Sequence, residues 1–161
     1  MSTSEDRDIL EHHLTVTGRA MVRVTRADGS VEEKIIVNQV LAEGLNKLAA
    51  RGIANVASPF GFIGIGTVSA VASLDSTVTD FGEVDRKAAA TLTTSLETMI
   101  GVATWAGFAD TLTSVDLRSA GFINHANSGL GEMLNIVNSV ATVLAASDFL
   151  LLQVEVRVGS H

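Results

Sequence analysis

The sequence predicts a mainly β domain, an antiparallel β-sandwich of jelly-roll-like form with one short α-helix near residues 39–51. Three observations predict it. Apolar residues recur with period two along most of the chain, the spacing of half-buried strands. Turn residues of hairpin type separate these runs, first of all Ala27-Asp28-Gly29. Only one stretch, after Asn38, keeps helical spacing with no competing strand pattern.

Taken in order, Leu14, Val16, Gly18, Ala20, Val22 and Val24 share one side of a first strand. Across the Asp28-Gly29 turn, Val31, Glu33, Ile35 and Val37 alternate with Glu32, Lys34 and Ile36. This predicts an antiparallel partner with its Val and Ile set inward, although Glu33 falls on that side. Asn38 is placed to cap a helix whose apolar face is Val40, Leu41, Leu45, Leu48 and Ala49, and Gly52 to end it. Phe62-Ile63-Gly64-Ile65-Gly66 reads as a strand packed closely against other backbone. Residues 68–83 are small, polar and acidic and read as a long loop. Strand patterns return from Arg86 to Leu96, Met99 to Phe108, Leu112 to Leu117 and Gly121 to Asn124, with a polar turn at Asn127-Ser128-Gly129. The spacing after Gly131 fits either a strand from 132 to 142 or a helix from 131 to 146. The last strand is the clearest: Leu150, Leu152, Val154, Val156 and Val158 face one way, and Leu151, Gln153, Glu155 and Arg157 the other.

The 161 residues suit one domain, read as a flexible arm over 1–12 and a single sandwich over 13–161. Apolar residues make up 47% of the chain, enough for a core, and charged residues only 18%, below the usual quarter. So little charge hints that other subunits cover part of the surface. The net charge of -7 argues against nucleic acid and against an anionic membrane, both of which need clustered Lys and Arg. There is no cysteine, hence no disulfide and no thiolate ligand. No apolar run reaches the length of a membrane span, and the acidic start is unlike a signal peptide.

The residues that could carry chemistry read more simply as structure. His12 and His13 would point to opposite faces of a strand and not converge on one ion. His125 stands alone in a turn. Asp75, Asp80, Glu83 and Asp85 share one loop region, but their spacing is not that of a calcium loop. Gly61, Gly64 and Gly66 lack the order of a nucleotide-binding turn. No nucleophile elbow and no paired-histidine zinc motif occurs. The expectation is no catalytic residue, no cofactor and no metal. The residues expected at an interface are Trp105, an aromatic anchor; Phe149 and Leu151, on or beside the polar side of the last strand; and Val78 and Phe81, in the acidic loop region.

The order of several short segments resembles a loose family of tailed-phage virion proteins of the decoration or tail-accessory type. They are Val37-Asn38-Gln39-Val40-Leu41-Ala42-Glu43-Gly44-Leu45, Phe62-Ile63-Gly64-Ile65-Gly66-Thr67, Ser119-Ala120-Gly121-Phe122-Ile123-Asn124, Gly131-Glu132-Met133-Leu134 and Asp148-Phe149-Leu150-Leu151-Leu152-Gln153-Val154. Ser119, Val68 and a final strand without tryptophan depart from that family's pattern. The resemblance implies a jelly-roll-like, non-enzymatic structural protein, often a homotrimer. It would assemble in the host cytoplasm onto a virion and contact itself and a major capsid or tail protein. The alternative is a tail- or fibre-associated protein that binds a host receptor or glycan, which predicts a concave polar and aromatic pocket. A third class, a hydrolase, predicts a cleft with two carboxylates or a histidine constellation.

Overall fold

The computed structural model describes residues 14–42, 44–46, 60–68, 77, 79–94, 98–107, 114–138 and 140–160. It is an antiparallel β structure, as the period-two pattern requires. Among the described residues there are eleven strands: β1 Leu14–Thr25, β2 Val31–Val40, β3 Phe62–Gly66, β4 Glu83–Ala88, β5 Thr91–Thr94, β6 Thr98–Ala106, β7 Ser114–Leu117, β8 Ser119–Ile123, β9 Met133–Val137, β10 Thr142–Ala145 and β11 Phe149–Ser160. Nine form one sheet in the order β4-β3-β8-β9-β2-β1-β11-β6-β5, and β10 pairs with β7 in a separate ribbon.

The nine-stranded sheet folds over on itself into two layers. At one corner β2 leaves β1 and pairs with β9 through Gln39 and Val40. At the opposite corner two residues carry the chain between layers: Ala89 N–H donates to Gly61 O and Ala90 N–H to Val102 O, both at 2.8 Å. The edge strands β4 and β5 are therefore consecutive in the chain, which shields both sheet edges. One layer is β4-β3-β8-β9 and the other β2-β1-β11-β6-β5. Between them lies a core of Val22, Val24, Ile63, Ile65, Trp105, Phe122, Leu150, Leu152 and Val154, among others. Phe122 of β8 reaches across to Gly101 of β6, where there is no room for a Cβ.

The β1–β2 hairpin shows how local chemistry sets a register. Gly29 has φ +83°, Asp28 Oδ1 accepts from Ser30 N–H, and Arg26 N–H donates to Ser30 O. Hydrogen bonding from the Ser30 side chain, then from its N–H, holds the Asp28 carboxyl below its usual range. The turn pairs Thr25 with Val31 and so aligns inward Val24, Val22 and Ala20 with Glu32, Lys34 and Ile36. The expectation for β2 is thereby reversed. Val31, Ile35 and Val37 face solvent, and Glu32 and Lys34 turn toward the interior side, where they find partners.

One other expectation is corrected, and one alternative is decided in favour of strand. The strand β2 runs through Asn38, Gln39 and Val40, where a helix was expected to start. Helical structure is described only at Ala42 and over Gly44–Asn46, with Leu45 N–H bonded to Leu41 O. The rest of the expected helix, 47–51, lies outside the described residues, as do the arm over 1–12 and most of the 68–83 loop. The region after Gly131 is two strands, β9 and β10, and the chain turns between them with Ala141 at φ +44°.

Candidate interaction surface

The outward side of β2-β1-β11-β6 is a face of mixed character. The ladders place its residues in cross-strand rows. One row is Val37, Arg19, Glu155 and Ile100, and the next is Ile35, Met21, Gln153 and Val102. A third is Glu33, Arg23, Leu151 and Thr104, and a fourth Val31, Thr25, Phe149 and Ala106. Val37 is 83% exposed, Ile35 69% and Phe149 42%. Val37 and Ile35 are near neighbours on β2, and Phe149 lies on the same face toward the other end of β11. The centre of the face is polar and ordered: Arg19 Nε donates to Glu155 Oε2 at 2.9 Å. A shallow hollow of about 130 Å³ lies there, lined by Arg19, Met21, Ile35, Gln153 and Glu155.

Of the residues expected at an interface, Phe149 and Leu151 lie on this face. Trp105 and Phe81 do not: both are fully buried in the monomer. Trp105 shares the inward side of β6 with Gly101 and Ala103. Phe81 packs into a second apolar cluster with Leu41, Ile123, Met133 and Ile136. Val78 lies outside the described residues. Ile35 and Val37 join Phe149 and Leu151 because the Arg26–Ser30 turn pairs Thr25 with Val31 and so sets Val31, Ile35 and Val37 beside the outward residues of β1.

The acidic residues of the loop region do not converge. Asp80 Oδ2 accepts from Thr77 N–H, and Asp85 Oδ2 accepts from Trp105 Nε1 at 2.8 Å. Glu83 pairs with Arg86, Nη2 to Oε2 at 2.7 Å, and also accepts from Gly129 N–H. Arg86 in turn donates to His125 O and Leu130 O, which clamps the β8–β9 connection against β4. His125 Nδ1 accepts from Asn127 N–H within that connection. Asp75, His12 and His13 lie outside the described residues. Gly64 and Gly66 are buried strand positions pressed against Phe81, not a phosphate cradle. Among the described residues no group of three His, Cys, Asp or Glu is placed to hold a metal.

A polar cluster ties the hairpin to the β10 end of the sandwich. Arg26 donates to Asp148 Oδ2 and Val143 O at 2.6 Å and to Glu32 Oε2 at 2.7 Å. Lys34 Nζ lies 2.7 Å from Glu32 Oε1 and also donates to Ala141 O and Thr142 Oγ1. The bonds to Asp148, then Glu32, raise the Arg26 pKa above its ordinary value. The bonds from Lys34, then Arg26, hold the Glu32 carboxyl below 4.5. Asp148 is almost fully buried, so Arg26→Ala strands a carboxylate and is expected to cost about 2–4 kcal/mol in urea unfolding. The Glu32 contribution is complete above pH 4.5 and disappears as pH falls through its lower folded value. Urea midpoints taken on acidification are expected to fall less steeply for Glu32→Gln than for the parent chain.

Comparison with protein-family models, curated proteins and solved structures finds no match to this chain. The interaction surface is therefore read from its own geometry.

Proposed function

We propose that this chain is a structural component of a tailed-virus particle, a decoration or cement protein that works by covering its open sheet face against other subunits. One observation carries the reading: Val31, Ile35, Val37, Phe149 and Leu151 all lie on the outward side of β2-β1-β11, with an ordered Arg19–Glu155 pair in the row of Val37. The face lies on strands paired through continuous ladders, so assembly has less backbone to order than it would on a loop. The acidic balance keeps the exterior soluble. The resemblance of the ordered segments to virion proteins supplies the particle, and it carries the homotrimer and the major capsid protein as expected partners.

The test is co-sedimentation of the pure chain with shells stripped of accessory proteins, followed by particle imaging. The expected result is saturable binding at a copy number set by shell symmetry. Phe149→Asp is expected to abolish that binding while lowering the unfolding free energy by about 1–2 kcal/mol, because the side chain is 42% exposed in the monomer. Binding unaffected by this change, or no binding to shells at all, contradicts the proposal.

A further inference from the structure

We infer that the occupant of the β2-β1-β11-β6 face is a second copy of the same chain, related by a two-fold axis that runs along the strands midway between β1 and β11. The inference rests on the reading of this face as an assembly surface and names its partner. The argument is one of register. Such an axis lays β1 over β11 of the second copy and β2 over its β6. Arg19 and Glu155 occupy one cross-strand row in adjacent strands, so each Arg19 then faces a Glu155 in the second copy, twice over. The two internal ion pairs become a ring of four alternating charges.

The remaining rows agree. Ile35 falls over Val102 and Val37 over Ile100, apolar on apolar. Arg23 falls over Leu151 and Glu33 over Thr104, so no like charges oppose one another. An isologous contact demands this self-complementarity of one patch, and an arbitrary sheet face seldom has it. Packing two twisted sheets turns them by about 30°, which blurs the outer rows and leaves the central ones in place. The chain carries -7, yet this face holds Arg19, Arg23 and Arg157 against Glu33 and Glu155, so two copies do not repel here.

The area is of the order a stable pair needs. Four strands at about 4.8 Å spacing and nine residues at about 3.4 Å each span about 19 Å by 30 Å. That is on the order of 600 Å² in projection, and accessible area exceeds projection. A stable pair needs about 800 Å² from each partner. A face that meets itself closes as a dimer, in contrast to the trimer that the family resemblance implies.

Charge exchange tests this on the full chain by sedimentation equilibrium at micromolar concentration. The parent is expected at twice 16.8 kDa. Arg19→Glu alone and Glu155→Arg alone are each expected as monomers, because like charges then face across the axis. An equimolar mixture of the two is expected to recover the dimer mass, since each supplies the charge the other lacks. Circular dichroism of each variant checks folding; if either is unfolded, Ile35→Asp, at an exposed position, takes its place and must give a monomer. A parent that is monomeric or trimeric overturns the inference, as does a folded mixture that stays monomeric. A monomeric parent whose shell binding still fails in Phe149→Asp would give the face to the shell protein, leaving the proposed function standing and this inference refuted.

Discussion

Replacing Trp105 with alanine is expected to lower the unfolding free energy by about 3–5 kcal/mol. The ring is fully buried and sits where the two layers meet beside the closing corner. Its Nε1–H reaches Asp85 of β4, and Lys87 of the same strand places its ammonium 5.7 Å from the ring centre while Nζ donates to Thr104 O. One side chain thus fills the core and bolts β4 to β6. Trp105→Phe separates the two roles. It keeps most of the apolar volume but removes the donor to Asp85, and is expected to cost about 1–3 kcal/mol. Because domains of this kind are stable by about 5–15 kcal/mol, the alanine variant stands close to unfolding at ambient temperature. Urea titrations followed by far-ultraviolet circular dichroism measure both. A loss below about 1 kcal/mol for Trp105→Ala would mean that the ring is not buried in the monomer.

Gly66→Val is the second large effect, at about 3 kcal/mol or more. Gly66 pairs on both sides, with Glu83 of β4 and Ser119 of β8. A Cβ built there would lie 2.6 Å from Phe81 Cδ2 and nearer still to the Phe81 carbonyl oxygen, with Ser119 Oγ at 2.8 Å. Backbone cannot yield as a long side chain can, so β3 must shift and both ladders with it. Gly61 provides the control, since nothing lies within 4 Å of its Cβ position and Gly61→Ala is expected to leave the midpoint unchanged. Equal midpoints for Gly61→Ala and Gly66→Val would contradict the packing of Phe81 beneath β3.

Much of this fold was legible in the sequence, and the failures have physical causes. In β1 and β11 the inward positions are Ala, Val and Leu with one Gly, and the intervening ones are mostly polar apart from Met21, Phe149 and Leu151, so burial largely follows the letters. In β2 both faces carry apolar and charged residues, and composition could not choose between them. The choice is made by the five-residue turn Arg26–Ser30 and by the partners that await Glu32 and Lys34. A buried ion pair looks like a surface one in sequence, because its partners are distant: Asp148 is 122 residues from Arg26. The region after Gly131 fitted helix and strand alike, because Met133, Leu134, Val137 and Val140 are inward in β9 and after it while also obeying helical spacing. Of the interaction surface, Phe149 and Leu151 were visible from alternation in the last strand. Ile35 and Val37 were hidden by the β2 error, and Trp105 and Phe81 were drawn outward only because aromatic residues are common at interfaces.

The same error concealed the main feature of the molecule. Once β2 is turned over, its Val and Ile residues join the outward residues of β1, β11 and β6 in one continuous face. The ion pair Arg19–Glu155 then stands at the middle of that face instead of at its margin.

Hydroxyl-radical footprinting across a dilution series tests the central claim most directly, because it reads the solvent access of individual side chains. If the face is covered on assembly, modification of Met21, Ile35, Phe149 and Leu151 falls together as concentration rises. Leu130 and Val143, exposed but off this face, stay constant. Protection centred on Leu130 or Val143, or none at any residue when the mass has doubled, would contradict it.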